Sequence, residues 1–127
     1  MSEQTILIVE DEPAIRQLIA RILETDGYQS EQVESADAAL EQLRERRYDL
    51  ILLDLHMPGD LDGEEFLFMV RDEGENVPII IVSGWVDDEA AIHQPDCVYA
   101  VIKKPIQSQL LLTRVREVLS NDPLSEQ

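Results

Sequence analysis

Chemically reactive side chains follow four of the apolar runs of this sequence, each at the point where the run ends. They are the acidic triplet Glu10, Asp11 and Glu12, then Asp54, then Ser83 and finally Lys104. Carboxylates that lie close together repel one another and need a cation, and oxygen-only ligands in a small, water-rich site favour Mg²⁺. An aspartate can also act as a nucleophile and form an acyl phosphate. We therefore interpret Asp54 as a candidate phosphoryl acceptor, with Mg²⁺, the Ser83 hydroxyl and the Lys104 ammonium holding the phosphoryl oxygens.

Each of these residues has a plainer interpretation when it is taken alone. Acids after a strand are often helix caps or partners of the helix dipole, and a serine there is usually a backbone cap. Asp54 alone would more often be a turn residue, and Lys104 a solvated surface charge. One shared site is a more economical explanation than four separate ones. A Gly-rich phosphate loop after a strand is lacking from the sequence, which argues against nucleotide binding.

The elements that would position these side chains alternate between strands and helices. Five short apolar runs predict strands at Thr5–Val9, 28–33, 50–53, 78–82 and 98–102. Helical periodicity lies between and after them, and the third and fourth runs are continuously apolar, which is typical of strands covered on both faces. This pattern predicts an α/β fold with a five-stranded parallel sheet and helices on both faces. The carboxyl ends of its strands would form the site.

The predicted helices carry start and stop signals of different strength. Ser35 is a plausible N-cap for the second helix, and Gly27 is a stop signal for the first. A fourth helical segment at 86–93 is short, weakly apolar and limited by Pro95. A fifth helix is predicted around 111–119.

Composition narrows the class of protein further. The 127 residues contain 27 acids and 10 bases, a formal net charge of −17, which argues against a nucleic-acid or anionic-membrane surface. A single cysteine, no secretion-signal pattern and no apolar run of about 20 residues predict a cytoplasmic location without a membrane span. We expect one domain over residues 1–120, followed by a short polar tail at 121–127 and no output domain.

Four segments of the chain together resemble a response regulator receiver domain of two-component signalling, similar to the single-domain chemotaxis regulators. They are ILIVEDEP at 6–13, DLILLDLHMP at 49–58, IIIVSG at 79–84 and the Lys104-Pro105 pair. Each motif is weak alone, but all four occur in order and at predicted strand ends. The resemblance covers the chain from Ile6 to about Leu119 and implies a flavodoxin-like, doubly wound fold with the strand order 2-1-3-4-5.

The resemblance also implies a role for each site residue. Asp54 matches the phospho-accepting aspartate, Ser83 the hydroxyl switch residue and Lys104 the phosphate-binding lysine. Glu10 and Asp11 match the acidic pair that organises Mg²⁺, and the backbone carbonyl of His56 matches a further metal ligand beside Asp54. Pro105 is expected to follow a cis peptide bond, as is usual in the family.

By the same resemblance, the protein is a signalling switch that catalyses only its own phosphorylation and dephosphorylation. It would take its phosphoryl group from a sensor histidine kinase or a histidine phosphotransfer protein. A downstream protein target would then bind the face formed by helix four, strand five and helix five. Val101 stands where the family often has an aromatic switch residue, and Tyr99 is nearby but out of phase, so this part of the switch is expected to differ.

Two other functions stay open at this point. The chain could be a degenerate receiver that acts as a phosphorylation-independent interaction module. A phosphatase with an aspartate nucleophile is the less favoured alternative, because such enzymes need a second aspartate two residues on, where this chain has His56, and usually a cap insertion. We interpret the His56 side chain as a residue at the rim of the site, and Trp85 as a cover over the site or a partner contact.

Overall fold

The computed structural model describes residues 4–54, 63–72, 77–84 and 98–120. Five strands alternate with helices over this part of the chain. In chain order they are β1 (Thr5–Val9), α1 (Pro13–Thr25), β2 (Gln29–Val33), α2 (Ala36–Glu45), β3 (Leu50–Asp54), α3 (Gly63–Asp72), β4 (Ile79–Ser83), β5 (Val98–Lys103) and α4 (Ser108–Ser120). The fifth predicted helix is thus α4, whereas the predicted segment at 86–93 lies outside the described residues.

The strands form one parallel sheet in the order β2-β1-β3-β4-β5, which confirms the predicted topology. Strand β1 lies between β2 and β3, so the chain reverses its direction of travel across the sheet at β1 and β3. Ligands bind parallel sheets of this kind beyond the carboxyl ends of the strands at such a reversal. Glu10 directly follows β1, and Asp54 is the last residue of β3.

The core has two apolar layers because successive side chains of a strand point to opposite faces of the sheet. Leu7, Val9, Ile51, Leu53, Ile79 and Ile81 belong to one buried cluster, with apolar side chains of α2 and α3. Ile6, Ile8, Leu50, Leu52, Ile80 and Val82 belong to the other, with side chains of α1 and α4. Strands β1 and β3 are therefore covered on both faces, which explains their continuous apolar runs.

Local signals account for the helix boundaries next to the site. The Ser35 hydroxyl accepts a hydrogen bond from the Ala38 amide at 3.1 Å and caps α2, as predicted. Gly27 ends the turn after α1 with φ of 85°, a left-handed conformation that favours glycine. Pro13 occupies the first turn of α1, where its missing N–H costs nothing. Helix α1 therefore begins directly after the acidic triplet.

Strand β2 was the weakest of the predicted strands, and its position explains why. It lies at the edge of the sheet, and its residues are half-buried or exposed. Its residues, QSEQV, are mostly polar because one side of the strand faces solvent. No helix in the described part of the chain is both long and apolar enough to cross a membrane.

Candidate functional site

The carboxyl ends of the central strands place the predicted site residues at one edge of the sheet. Glu10 directly follows β1, Asp54 is the last residue of β3, and Lys104 directly follows β5. Strand pairing aligns these ends, with Asp54 opposite Val82 and Ser83 opposite Lys103. The backbone thus brings together residues that are up to 94 positions apart in the chain (from 10 to 104).

Three carboxylates form a compact acidic cluster at this edge. One ligand oxygen from each of Glu10, Asp11 and Asp54 can be chosen so that all three lie within 4.8 Å of one another. Glu10 and Asp54 are buried, with 1% and 4% of their surface exposed, and Asp11 is half-buried. Buried carboxylates at this separation repel strongly, so the cluster attracts a compensating cation.

Lys104 supplies part of that compensation by direct contact with the carboxylates. Its Nζ lies 3.3 Å from Glu10 Oε1, 3.4 Å from Asp54 Oδ2 and 3.7 Å from Glu12 Oε1. Only 17% of the lysine side chain is exposed. A Cβ placed on Gly84 would lie 3.8 Å from Lys104 Cδ, so the lysine stem runs beside the end of β4. The peptide bond between Lys104 and Pro105 is cis, as expected.

The electrostatics of the cluster raise the proton affinity of Glu10. Burial, reinforced by the negative charge of Asp54, raises the pKa of Glu10 to about 7. The Glu12 amide, which donates to Glu10 Oε2 at 3.2 Å, and the Lys104 ammonium act in the opposite direction. For Lys104, burial works to lower the pKa, but the Asp54 and Glu10 carboxylates outweigh it and the pKa is raised. Lys104 therefore keeps its charge at neutral pH.

The donor set fits a hard divalent cation. Glu10 Oε1 is buried and makes no hydrogen bond within the described ranges, although the Lys104 ammonium is in ionic contact with it. Such an oxygen gains a partner when a cation binds. Three carboxylate oxygens, with room for water on the half-buried Asp11 side, are the ligands that Mg²⁺ prefers. The cluster can therefore hold a metal ion and, beside it, an aspartate in contact with an ammonium group.

Among the predicted site residues, Ser83 is placed by its backbone only, and His56 is not among the described residues. Ser83 is the last residue of β4, and its backbone pairs with Lys103 at the same edge as Asp54. The role of its hydroxyl stays a prediction. His56, together with Trp85, lies outside the described residues, so the proposed carbonyl ligand and the cover over the site stay predictions as well. At the aromatic switch position, Val101 is partly buried against the core, whereas Tyr99 is exposed.

Two contacts of the site were missed in the sequence. Glu12 had no assigned role, but it shares the Lys104 ammonium with the cluster. Arg16 donates a hydrogen bond from Nη1 to the backbone carbonyl of Glu10 at 2.8 Å. The available signal for Arg16 was its place four residues after Glu12, on the first turn of the helix that follows the acids.

Comparisons with known proteins agree with this fold. Residues 6–116 match the sequence model of the response regulator receiver domain. The nitrogen assimilation regulatory protein NtrX of Azorhizobium caulinodans is 38% identical over 116 residues, which cover 90% of this chain and 26% of NtrX. The phosphate regulon transcriptional regulatory protein PhoB of Klebsiella pneumoniae is 32% identical over 117 residues, covering 90% of this chain and 51% of PhoB. The chain thus spans about half or less of these relatives.

Solved structures show the same architecture. A CheY-like receiver domain protein of Methanospirillum hungatei superposes with a TM-score of 0.85 at 29% identity, covering 94% of this chain and 96% of that one. The response regulator TrrA of Thermotoga maritima, solved in complex with Mg²⁺ and BeF, gives a TM-score of 0.83 at 28% identity and covers 91% of this chain and 99% of that one. The family match, the strand order and the clustered acids lead to one conclusion: this chain belongs to the receiver domain family of two-component response regulators.

Proposed function

We propose that this receiver accepts a phosphoryl group on Asp54 and acts as a signalling switch. The observation that carries the proposal is the position of Asp54, whose carboxylate lies both within the acidic cluster and 3.4 Å from the Lys104 ammonium. A carboxylate in this setting can approach a phosphorus atom while the nearby positive charge of Lys104 attracts the phosphoryl oxygens.

The transfer is a displacement at phosphorus. An Asp54 carboxylate oxygen forms a bond to phosphorus while the bond from phosphorus to the donor imidazole nitrogen breaks. The departing histidine keeps the bonding electron pair and takes a proton from solvent. Mg²⁺, when bound, supplies positive charge that offsets the negative charge of the transferring group. Lys104 holds a phosphoryl oxygen, and we assign the same role to the Ser83 hydroxyl.

Glu10 and Asp11 are the residues we assign to Mg²⁺, together with Asp54 and the backbone carbonyl of His56. Asp11 would bind the ion directly, and Glu10 would act mainly through water. The Mg²⁺ and BeF complex of the related TrrA supports this cofactor, because that protein shares the receiver fold. The buried oxygen of Glu10 that makes no hydrogen bond within the described ranges supports it from this chain itself.

The phosphoryl donor in this proposal is a phosphohistidine on a sensor histidine kinase or a histidine phosphotransfer protein. The downstream partner is a protein that binds the face of predicted helix four (86–93), strand β5 and predicted helix five, which is α4 in the structure. Exposed side chains on the described part of that face, Tyr99 on β5 and Leu110 on α4, are suited to such a contact. Whether the chain works alone or within a longer protein does not alter this chemistry.

Intact mass after incubation with Mg²⁺ and acetyl phosphate tests the proposal. We expect the gain of one phosphoryl group, the loss of this gain in Asp54→Ala, and its retention in Asp49→Asn, which changes the aspartate directly before the strand that Asp54 ends. Absence of any gain in the unmodified protein would favour the phosphorylation-independent interaction module. Continuous release of phosphate from many monoesters would favour a phosphatase.

A further inference from the structure

The backbone of the acidic turn between β1 and α1 is held from several directions. The Glu10 amide donates to the carbonyl of Val33, the last residue of β2, at 3.1 Å. The Glu10 carbonyl accepts from Arg16 Nη1 at 2.8 Å, and the Arg16 amide donates to the Glu12 carbonyl at 2.9 Å. Arg16 therefore contacts the turn twice, once through its guanidinium and once through its backbone.

The guanidinium contact holds the peptide unit directly before Asp11. The Glu10 carbonyl belongs to the peptide unit that joins Glu10 to Asp11, so the arginine determines the orientation of that plane. On the other side of Asp11, the Glu12 amide belongs to the peptide unit that joins Asp11 to Glu12, and it donates to Glu10 Oε2 at 3.2 Å. The Arg16 amide holds the Glu12 carbonyl one peptide unit further on. Because the peptide units on both sides of Asp11 are hydrogen-bonded, the direction in which the Asp11 side chain leaves the backbone is restricted. Metal ligands depend on such supporting contacts, since they keep the donor oxygens in a binding geometry before the ion arrives.

Arg16 is suited to this task because of where its side chain runs. It is half-buried and lines an open cavity of about 350 Å³ together with Gln32, Val33, Glu34 and Ala38. A guanidinium presents several N–H groups in a rigid fork and remains charged at every relevant pH. Its bond to a carbonyl is charge-assisted and is therefore stronger than a bond between neutral groups.

We infer that Arg16 is a positioning residue for the metal site: its guanidinium holds the Glu10 carbonyl so that Glu10 and Asp11 present their carboxylates together. The inference rests on the proposed function, since it concerns the same acidic cluster. Arg16 acts through the backbone of the turn and is not itself a ligand. Its loss should therefore weaken Mg²⁺ binding more than it alters the chemistry at Asp54.

The test measures Mg²⁺ affinity by calorimetry without any phosphoryl donor. Arg16→Met keeps the apolar stem and removes the donor, and we expect its Kd for Mg²⁺ to rise about tenfold. Arg21→Met is the matched control, because it removes the same charge from an exposed position on the same helix. Its Kd should stay within about twofold of the unmodified value, since exposed charges are screened by solvent. The open cavity beside position 16 has room for a methionine side chain as well as for the arginine.

A second measurement separates positioning from general damage. The rate of phosphorylation by acetyl phosphate in Arg16→Met should be low at limiting Mg²⁺ and return to within about twofold of normal at saturating Mg²⁺. If Arg16→Met does not fold, Arg16→Gln against Arg21→Gln provides the same comparison, because glutamine is too short to reach the Glu10 carbonyl in the same way.

An unchanged Mg²⁺ Kd in the Arg16 variant would overturn the inference, and so would an equal rise in the Arg21 control. Both outcomes leave the proposed function standing if Asp54 is still phosphorylated. Conversely, a protein whose Mg²⁺ affinity depends on Arg16 but whose Asp54 is never phosphorylated would support the inference and refute the proposed function. If the unmodified protein binds no Mg²⁺, both are wrong.

Discussion

The Nζ atom of Lys104 lies 3.4 Å from Oδ2 of Asp54, across 50 positions of the chain. The lysine is one of only two in the sequence, and its neighbour Lys103 is exposed at the end of β5. Because the lysine side chain is largely shielded from water, its charge acts on the acidic cluster with little solvent screening. The stability of the metal-free protein should therefore depend on this lysine.

Replacing Lys104 with methionine leaves the buried carboxylates without their nearest cation. We expect Lys104→Met to lower the free energy of unfolding at pH 8, without metal, by about 1–3 kcal/mol. Urea denaturation measures the difference. Lys103→Met is the control and should change the free energy by less than about 0.5 kcal/mol, as exposed substitutions usually do. Equal effects of the two variants would mean that net charge, and not contact with the cluster, determines the loss.

Glu10 should make the stability of the metal-free protein depend on pH. Its pKa rises from an ordinary 4.5 to about 7 in the folded protein, so the folded state holds the proton more tightly than the unfolded state. The contribution of this tighter proton binding to the free energy of unfolding is fully present below pH 4.5 and is lost as the pH rises through 7. Relative to Glu10→Gln, we expect the unmodified protein to lose about 2–3 kcal/mol between pH 5 and pH 8.

Denaturation of both proteins in EDTA across that pH range measures this loss. Glutamine has nearly the shape of the protonated acid, so the two proteins should be similar in stability at pH 5, and Glu10→Gln should be more stable at pH 8. Parallel stability curves would show that Glu10 titrates normally.

Binding of Mg²⁺ to the acidic cluster should stabilise the folded chain. At an ion concentration tenfold above Kd, linkage gives about 1.4 kcal/mol, which corresponds to a rise in Tm of roughly 3–6 °C for a domain of this size. Asp11→Asn removes one carboxylate of the cluster and should abolish the rise at the same concentration. Asp37→Asn changes an exposed aspartate in the first turn of α2 and should leave the rise intact. A normal rise in Asp11→Asn would exclude Asp11 as a ligand.

Gly27 should be needed because of its backbone conformation, and not because a larger side chain would clash with a neighbour. Its φ is 85°, and a Cβ added there would meet no atom within 4 Å. We therefore expect Gly27→Ala to cost about 1 kcal/mol of unfolding free energy from the strained conformation alone. Gly27→Asn should cost less, because asparagine tolerates left-handed backbone after a helix better than alanine. Urea denaturation of the three proteins gives the order, and equal stability of Gly27→Ala and the unmodified protein would contradict it.

The sheet was well predicted because its signals are local and strong. The continuous apolar runs of β3 and β4 mark strands that are buried on both faces, and their residues are buried in the structure. Strand β2 gave a weaker signal, because an edge strand keeps polar residues. The cap at Ser35 and the turn at Gly27 were also predictable, since each depends on one residue type and its immediate neighbours.

The contacts of Glu12 and Arg16 were not predictable in the same way. Both residues lie next to the recognised acids, but an acid at a helix start is ordinarily a cap and an arginine on a first turn is ordinarily a surface charge. Their partners are the Lys104 ammonium and the Glu10 carbonyl. Lys104 is 92 positions after Glu12 in the chain (from 12 to 104), and only the pairing of the strands brings the two together. The Arg16 contact depends on the path of its side chain back to the turn, which sequence spacing does not specify.

The amino-acid sequence by itself determined the parallel sheet, the residues at the strand ends and the edge of the sheet where they meet, whereas the strand order followed from the resemblance to a known family. Periodicity and chain connectivity are sufficient for the meeting of the strand ends, because parallel strands joined by right-handed crossovers place their carboxyl ends together. Only the tertiary structure decided that Lys104 contacts three acids, that Glu10 is buried with a raised pKa, and that Arg16 supports the turn. Coulomb energies and burial depend on separations of a few ångströms between distant residues, and sequence spacing does not contain those distances.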